Sequence, residues 1–229
     1  MNLKHNLNYF KKSDNLKFIG MGLIVIGLLM LLFGWSYITY IIMALSIPSG
    51  FVLFIIGSSG RSSDSDIESD IKSQLDGLIA DFEKDKKRGR KQLKNVSPSE
   101  IAGNCYTDDV MLTKTKNSSV RSSDFAKSVI YFLNDELYII KRTVSVIENN
   151  IRNSEFDIEY SKIEKVEITR EKKVMTSNKR KFNVSIVMLQ ITYDNGQAFT
   201  SPIHDDIDAD QLVEKINKQI DEYNKSTNV

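Results

Sequence analysis

Cysteine, proline, histidine and net charge are all scarce in this chain. One cysteine, Cys105, excludes an intramolecular disulfide and a Cys-rich metal site. Three prolines and eleven glycines in 229 residues exclude collagen-like or Pro/Gly-rich disordered sequence. The two histidines, His5 and His204, are far apart in the chain, which leaves little material for His-based metal or triad chemistry. Lys plus Arg number 31 and Asp plus Glu 30, so the basic excess of a dedicated nucleic-acid binder is missing.

What the chain has is a long uncharged run. From Phe18 to Gly60 there are 43 consecutive residues without Asp, Glu, Lys, Arg or His. One crossing of a hydrocarbon core about 30 Å thick takes roughly 20 residues. A single helix of the whole run would be about 65 Å long at roughly 1.5 Å per residue, so the run predicts two spans, about Phe18–Gly34 and Ile38–Gly57. The turn falls near Trp35-Ser36-Tyr37, where aromatic side chains suit the far headgroups. Pro48 and Gly50 lie within the second span, where membrane helices tolerate them. A secretory signal peptide competes for the basic start, but its apolar region is only about 7–15 residues long and no second span follows it.

Lys4, Lys11, Lys12 and Lys17 precede the run, Arg61 follows it, and the turn is uncharged. The positive-inside rule then predicts a multi-pass cell-membrane protein with both termini cytoplasmic. Residues 1–17 read as a cytoplasmic N-terminal segment, 18–60 as the hairpin, 61–96 as linker and amphipathic helix, and 97–229 as a cytoplasmic domain. Lysine outnumbers arginine 23 to 8, and Asn and Ile are abundant, a usage that suggests an AT-rich genome such as that of a low-GC Gram-positive bacterium.

Gly57-Ser58-Ser59-Gly60-Arg61-Ser62-Ser63 reads as a flexible linker. Acidic Asp64, Asp66, Glu68 and Asp70 open a helix whose stripe is Ile67, Ile71, Leu75, Leu78, Ile79 and Phe82. Three readings fit this stripe. It packs on its own domain, or it self-associates through Ile67, Ile71, Leu75, Leu78 and Phe82 as a short coiled coil. In the third, the basic tail Lys84–Lys94 touches anionic headgroups.

Beyond Ser97-Pro98 the pattern turns to strands: Val110–Thr115, Val129–Leu133, Leu137–Lys141, Phe156–Tyr160, Ile163–Thr169, Phe182–Tyr193 (the longest, apolar on both faces at Ile186–Leu189) and Ala198–Ile203. Asn149-Asn150 and Arg152-Asn153-Ser154 read as loop, and Asp194-Asn195-Gly196 is a strong turn signal. Asp208 with Gln211 makes a capping box for a final helix with the stripe Leu212, Val213, Ile216, Ile220 and Tyr223.

These segments resemble a known family. The run from Ser128 to Lys141 resembles the strand–turn–strand hairpin of bacterial PH-like and GRAM-like domains. Ile158 to Ile168 is similar to their characteristic polar-Tyr-Ser-x-Ile strand. Leu189 to Gly196, followed by Phe199, is similar to their penultimate hairpin, and Asp208 to Ile220 to their C-terminal helix. The likeness spans about Ala126 to Asn224 and departs most around Tyr106–Arg121. It implies a membrane-anchored α+β protein: two transmembrane helices, an amphipathic linker helix and a seven-stranded barrel or sandwich capped by one helix. The family has no shared catalytic residue, and its members bind lipids or proteins or have no known ligand.

Motifs for chemistry are missing. Cys105 has no neighbouring histidine, and His204-Asp205-Asp206 reads as a solvated turn rather than a divalent-ion fragment. There is no P-loop, GxGxxG, HExxH or EF-hand pattern. The expectation is no enzyme, no metal, no cofactor and no nucleic-acid partner. One charge cluster stands out: Arg170, Lys172, Lys173, Lys179, Arg180 and Lys181 bracket Val174–Asn178. It is either a solvated edge that discourages strand aggregation or a contact for anionic lipid or an acidic partner. The reading at this level is a binding or scaffold module for an unknown membrane or cytoplasmic protein, with lipid contact secondary. The alternative is a self-associating, homo-oligomeric regulatory or envelope-stress factor, with an enzyme third.

Overall fold

The computed structural model describes residues 1–11, 15–33, 36–58, 60–76, 78, 96–204 and 208–227. The chain divides into two compact units, Asn2–Ser63 and Asp64–Val229.

The first unit is helical: α1 (Leu3–Lys11), α2 (Asn15–Phe33) and α3 (Tyr37–Ser58). Within α3, the 21 residues Tyr37–Gly57 are long and apolar enough to cross a membrane. At about 1.5 Å per residue, α2 reaches roughly 28 Å and sits at the lower limit of a span; it qualifies only when taken together with α1. Of the two expected spans, one therefore meets the requirement by itself. Trp35 lies outside the described residues.

Glycine sets how α2 and α3 meet. A Cβ on Gly20 would lie 2.5 Å from the Phe54 nitrogen and 2.6 Å from the Gly50 oxygen, and one on Gly50 would lie 2.7 Å from the Gly20 oxygen. A Cβ on Gly57 would lie 2.6 Å from the Lys17 nitrogen. At these three glycines backbone meets backbone, while a Cβ on Gly27 would meet the side chains of Ile47 and Ser46. Gly60 and Ser62, after α3, are hydrogen-bonded to α1. The Asn8 side-chain amide donates to the Gly60 carbonyl at 2.8 Å, and the Ser62 hydroxyl donates to Asn6.

The second unit opens with α4 (Asp64–Leu75) and continues with β1 (Ser99–Asn104), β2 (Leu112–Lys114), β3 (Val120–Ser122), β4 (Asp124–Phe132), β5 (Glu136–Ser145), β6 (Asn150–Glu159), β7 (Ile163–Ser177), β8 (Arg180–Tyr193), β9 (Gln197–Pro202) and α5 (Ala209–Thr227). All pairing is antiparallel: a four-stranded sheet β1-β4-β5-β6, a three-stranded sheet β7-β8-β9, and the small hairpin β2-β3. The main core gathers Ile130, Phe132, Leu137 and Ile139 from the first sheet, Leu189, Ile191 and Phe199 from the second, and Leu212 and Ile216 from α5. The Asp208 carboxylate caps α5, accepting from the Gln211 N–H at 3.1 Å.

The sheet β1-β4-β5-β6 is apolar on both faces, which is why β4 and β5 read as continuous hydrophobic runs. Alternate residues Val129, Tyr131, Leu133, Tyr138 and Ile140 form an outer cluster with Leu78. Arg121 donates to the Asp64 carbonyl at 3.1 Å and pairs with Glu68 at 2.5 Å. Arg142 donates to the Gln74 carbonyl at 3.2 Å, satisfying an end of α4 that has no partner within the helix. These bonds hold α4 to the strands.

Several elements differ from the sequence expectation. Among the described residues there are nine strands, not seven. β1 went unread because Gly103 interrupts it. A Cβ there would lie 3.1 Å from the backbone of Ile203, so the glycine is a close-approach site rather than a breaker. Arg152-Asn153-Ser154 lies within β6, whose exposed edge leaves no apolar alternation to detect. Tyr160–Lys162 is a 3₁₀ turn between β6 and β7, with the Tyr160 hydroxyl donating to the Leu133 carbonyl at 3.2 Å. β7, at 15 residues, is longer than β8, at 14.

Candidate functional site

β7 and β8 pair from Ile163↔Tyr193 to Ser177↔Arg180, but β9 covers only Met188–Tyr193. Beyond Arg170↔Val187 the pair runs on as a two-stranded ribbon. Its turn is two residues, Asn178 (φ 51°) and Lys179 (φ 62°), the left-handed pair that suits the twist of a hairpin.

Side chains alternate across a strand, so the ribbon has two unlike faces. One carries Met175, Phe182 and Val184, buried with Val110 and Leu112 in a second cluster. The Ser177 hydroxyl accepts from the Leu112 N–H at 3.0 Å on this side. The other face carries Arg170, Lys172, Val174, Thr176, Lys181 and Asn183 and is open to solvent. The apolar pattern thus changes sides along β8. Val187 and Leu189 belong to the main core, and Ile186 to the second cluster. This accounts for the run that reads as apolar on both faces.

The six cations of the sequence cluster do not act as one patch. Lys173 lies on the second-cluster face and pairs with Asp108 at 3.4 Å. Arg170 pairs with Asp210 of α5 at 3.5 Å. Lys172, Lys179, Arg180 and Lys181 have no acidic partner within ion-pair distance among the described residues. Between Lys172 and Lys181 stands Val174, 61% exposed. Only it and Ile151 are large, exposed hydrophobic side chains among the described residues of Asp64–Val229. Sequence reasoning named the cations and missed Val174. The available signal was its place two residues from Lys172, on the same side of a strand.

Of the residues proposed for self-association, four are buried within the chain's own fold. Ile67, Ile71, Leu75 and Leu78 are 0%, 8%, 5% and 2% exposed. Phe82, Ile79, the basic tail and Asp205-Asp206 lie outside the described residues.

Two cavities flank Asn104, Arg121 and His204. One of about 390 Å³ lies between the β2-β3 hairpin and β8, and one of about 480 Å³ lies between α4 and the strands. Arg121 is already engaged by Glu68 and Asp64, so neither cavity offers a free cation from it. Burial pushes the Cys105 thiol up to about 11, partly opposed by Lys141, so it is protonated and unreactive near neutral pH. Burial also lowers the Lys141 ammonium, whose Nζ donates to the Thr200 carbonyl at 2.8 Å. Among the described residues no group of three His, Cys, Asp or Glu side chains converges. No protein-family model, curated protein or solved structure matches the chain.

Proposed function

We propose that this is an integral membrane protein with two spans and both termini cytoplasmic, carrying a PH-like domain that serves as a binding or scaffold module. Its main partner is another membrane or cytoplasmic protein, with anionic lipid a secondary contact, and it performs no catalysis. The observation that carries this reading is the juxtaposition along the chain of a membrane-grade helix, seamed to α2 by glycine, with an α+β unit that begins at Asp64. A four-stranded and a three-stranded antiparallel sheet closed by a C-terminal helix agree with the PH-like resemblance. A fold by itself carries little function.

Two measurements test it. Single cysteines replacing Leu3 and Ser226 should resist impermeant labelling in intact cells, while one replacing Ser36 should react. Labelling at either end from outside overturns the topology. Crosslinking in native membranes should then capture a defined protein stoichiometrically; recovery of the chain alone, or only of copies of itself, overturns the binding role.

A further inference from the structure

The open face of the β7-β8 ribbon is a docking surface for an anionic bilayer, we infer, with Val174 entering the headgroup region between Lys172 and Lys181. The inference rests on the membrane-anchored reading above and specifies its lipid contact. Four features point to lipid. First, Lys172 and Lys181 on this face and Lys179 in the turn have no ion-pair partner among the described residues, so their charge is available; Arg180, opposite Ser177, lies on the other face. Second, Val174 is 61% exposed on the same face as Lys172 and Lys181, so an apolar side chain and two cations share one surface. Third, the remaining side chains of that face at the tip, Thr176 and Asn183, are small and uncharged, and Glu171 falls on the opposite face. Fourth, the ribbon extends beyond β9, so a flat surface can meet its tip without the third strand intervening.

The chemistry is that of an interfacial contact: a short apolar side chain buried to headgroup depth, with lysine stems reaching phosphate on either side. Such a contact is weak. It matters here because a tethered domain meets a high effective lipid concentration, so the contact sets orientation rather than recruitment.

The test uses the full chain with Cys105→Ser and Thr176→Cys, labelled with bimane. It is reconstituted into vesicles of phosphatidylcholine alone, or of phosphatidylcholine with phosphatidylglycerol, each containing brominated lipid as quencher. Quenching is expected in the anionic vesicles at low salt. It should fade as the Debye length shrinks from about 8 Å toward about 3 Å at 1 M salt. Lys172→Gln or Lys181→Gln should each lower the docked-to-free ratio about fivefold, and the pair about 25-fold. Lys173→Gln, on the other face, should leave the ratio unchanged. Equal quenching in both vesicles, or an effect of Lys173→Gln matching that of Lys172→Gln, overturns the docking surface. Quenching that appears only when an acidic protein is added does the same. Failure of the chain to insert into either vesicle overturns the anchoring reading instead, so the two failures are distinguishable.

Discussion

Leu78→Ala separates a stripe that completes the chain's own fold from one that joins two copies. Leu78 is 2% exposed and packs in the outer cluster with Val129, Tyr131, Leu133, Tyr138 and Ile140. Truncation removes the isobutyl group's burial and leaves a cavity that the sheet beneath cannot fill, because its strands are fixed by pairing on both sides. Leucine-to-alanine changes at such sites cost about 2–5 kcal/mol. For a unit of this size each kcal/mol moves the melting temperature by about 2–4 °C, so a fall of roughly 5–20 °C is expected in the fragment 64–229. Ser73→Ala, on the exposed side of α4, should change stability by no more than about 0.5 kcal/mol. The assay is thermal denaturation followed by circular dichroism at several protein concentrations. A melting temperature that Leu78→Ala leaves unchanged would refute the packing argument. So would a wild-type melt that rises with concentration and loses that dependence in the variant, since the stripe would then be shared between copies.

Ile216, fully buried where α5 meets both sheets, should not tolerate a charge: Ile216→Asp should abolish the cooperative melt, and a folded variant would mean α5 does not close the core. In the helical hairpin, Gly20→Leu should cost about 1–3 kcal/mol of thermal stability in detergent, because its Cβ meets backbone at 2.5 Å. Gly22→Leu, with nothing within 4 Å of its Cβ, should be neutral, and equal effects would remove the seam. Cys105 should alkylate far more slowly at pH 8 in the native protein than in urea. With its folded thiol raised to about 11, its contribution to stability is complete below the ordinary thiol range and lost as pH rises toward 11. Equal alkylation rates would contradict the burial.

Elements with a local signal were legible in the sequence. The helix α5 declared itself by its capping box and stripe, and the β8-β9 turn by Asp194-Asn195-Gly196, all three at positive φ. The hairpin β4-β5 showed as two apolar runs around Asn134-Asp135-Glu136. What stayed hidden depended on partners distant in sequence. Gly103 looks like a strand breaker until Ile203 is seen against it, and the polar stretch Asn150–Glu155 looks like loop until β5 is seen beside it. The candidate site was half legible. Six cations in one stretch are visible in the letters, but which are neutralised depends on Asp108 and Asp210, brought in by other elements. Val174 becomes notable only once its face is known.

The change of sides along β8 also fixes where the strand sits. An ordinary amphipathic strand that slips by one residue exposes a single apolar face. Here a slip of one would turn Leu189 and Ile191 out of one cluster and Phe182 and Val184 out of the other together. A slip of two keeps every side chain on its proper face. In β8 it would carry Ser185 to the place of Val187, at the rim of the main core. The point where the pattern crosses over is therefore a positional mark along the chain. It keeps the two-residue turn at Asn178-Lys179, and Val174 with it, at one fixed distance from the sheet.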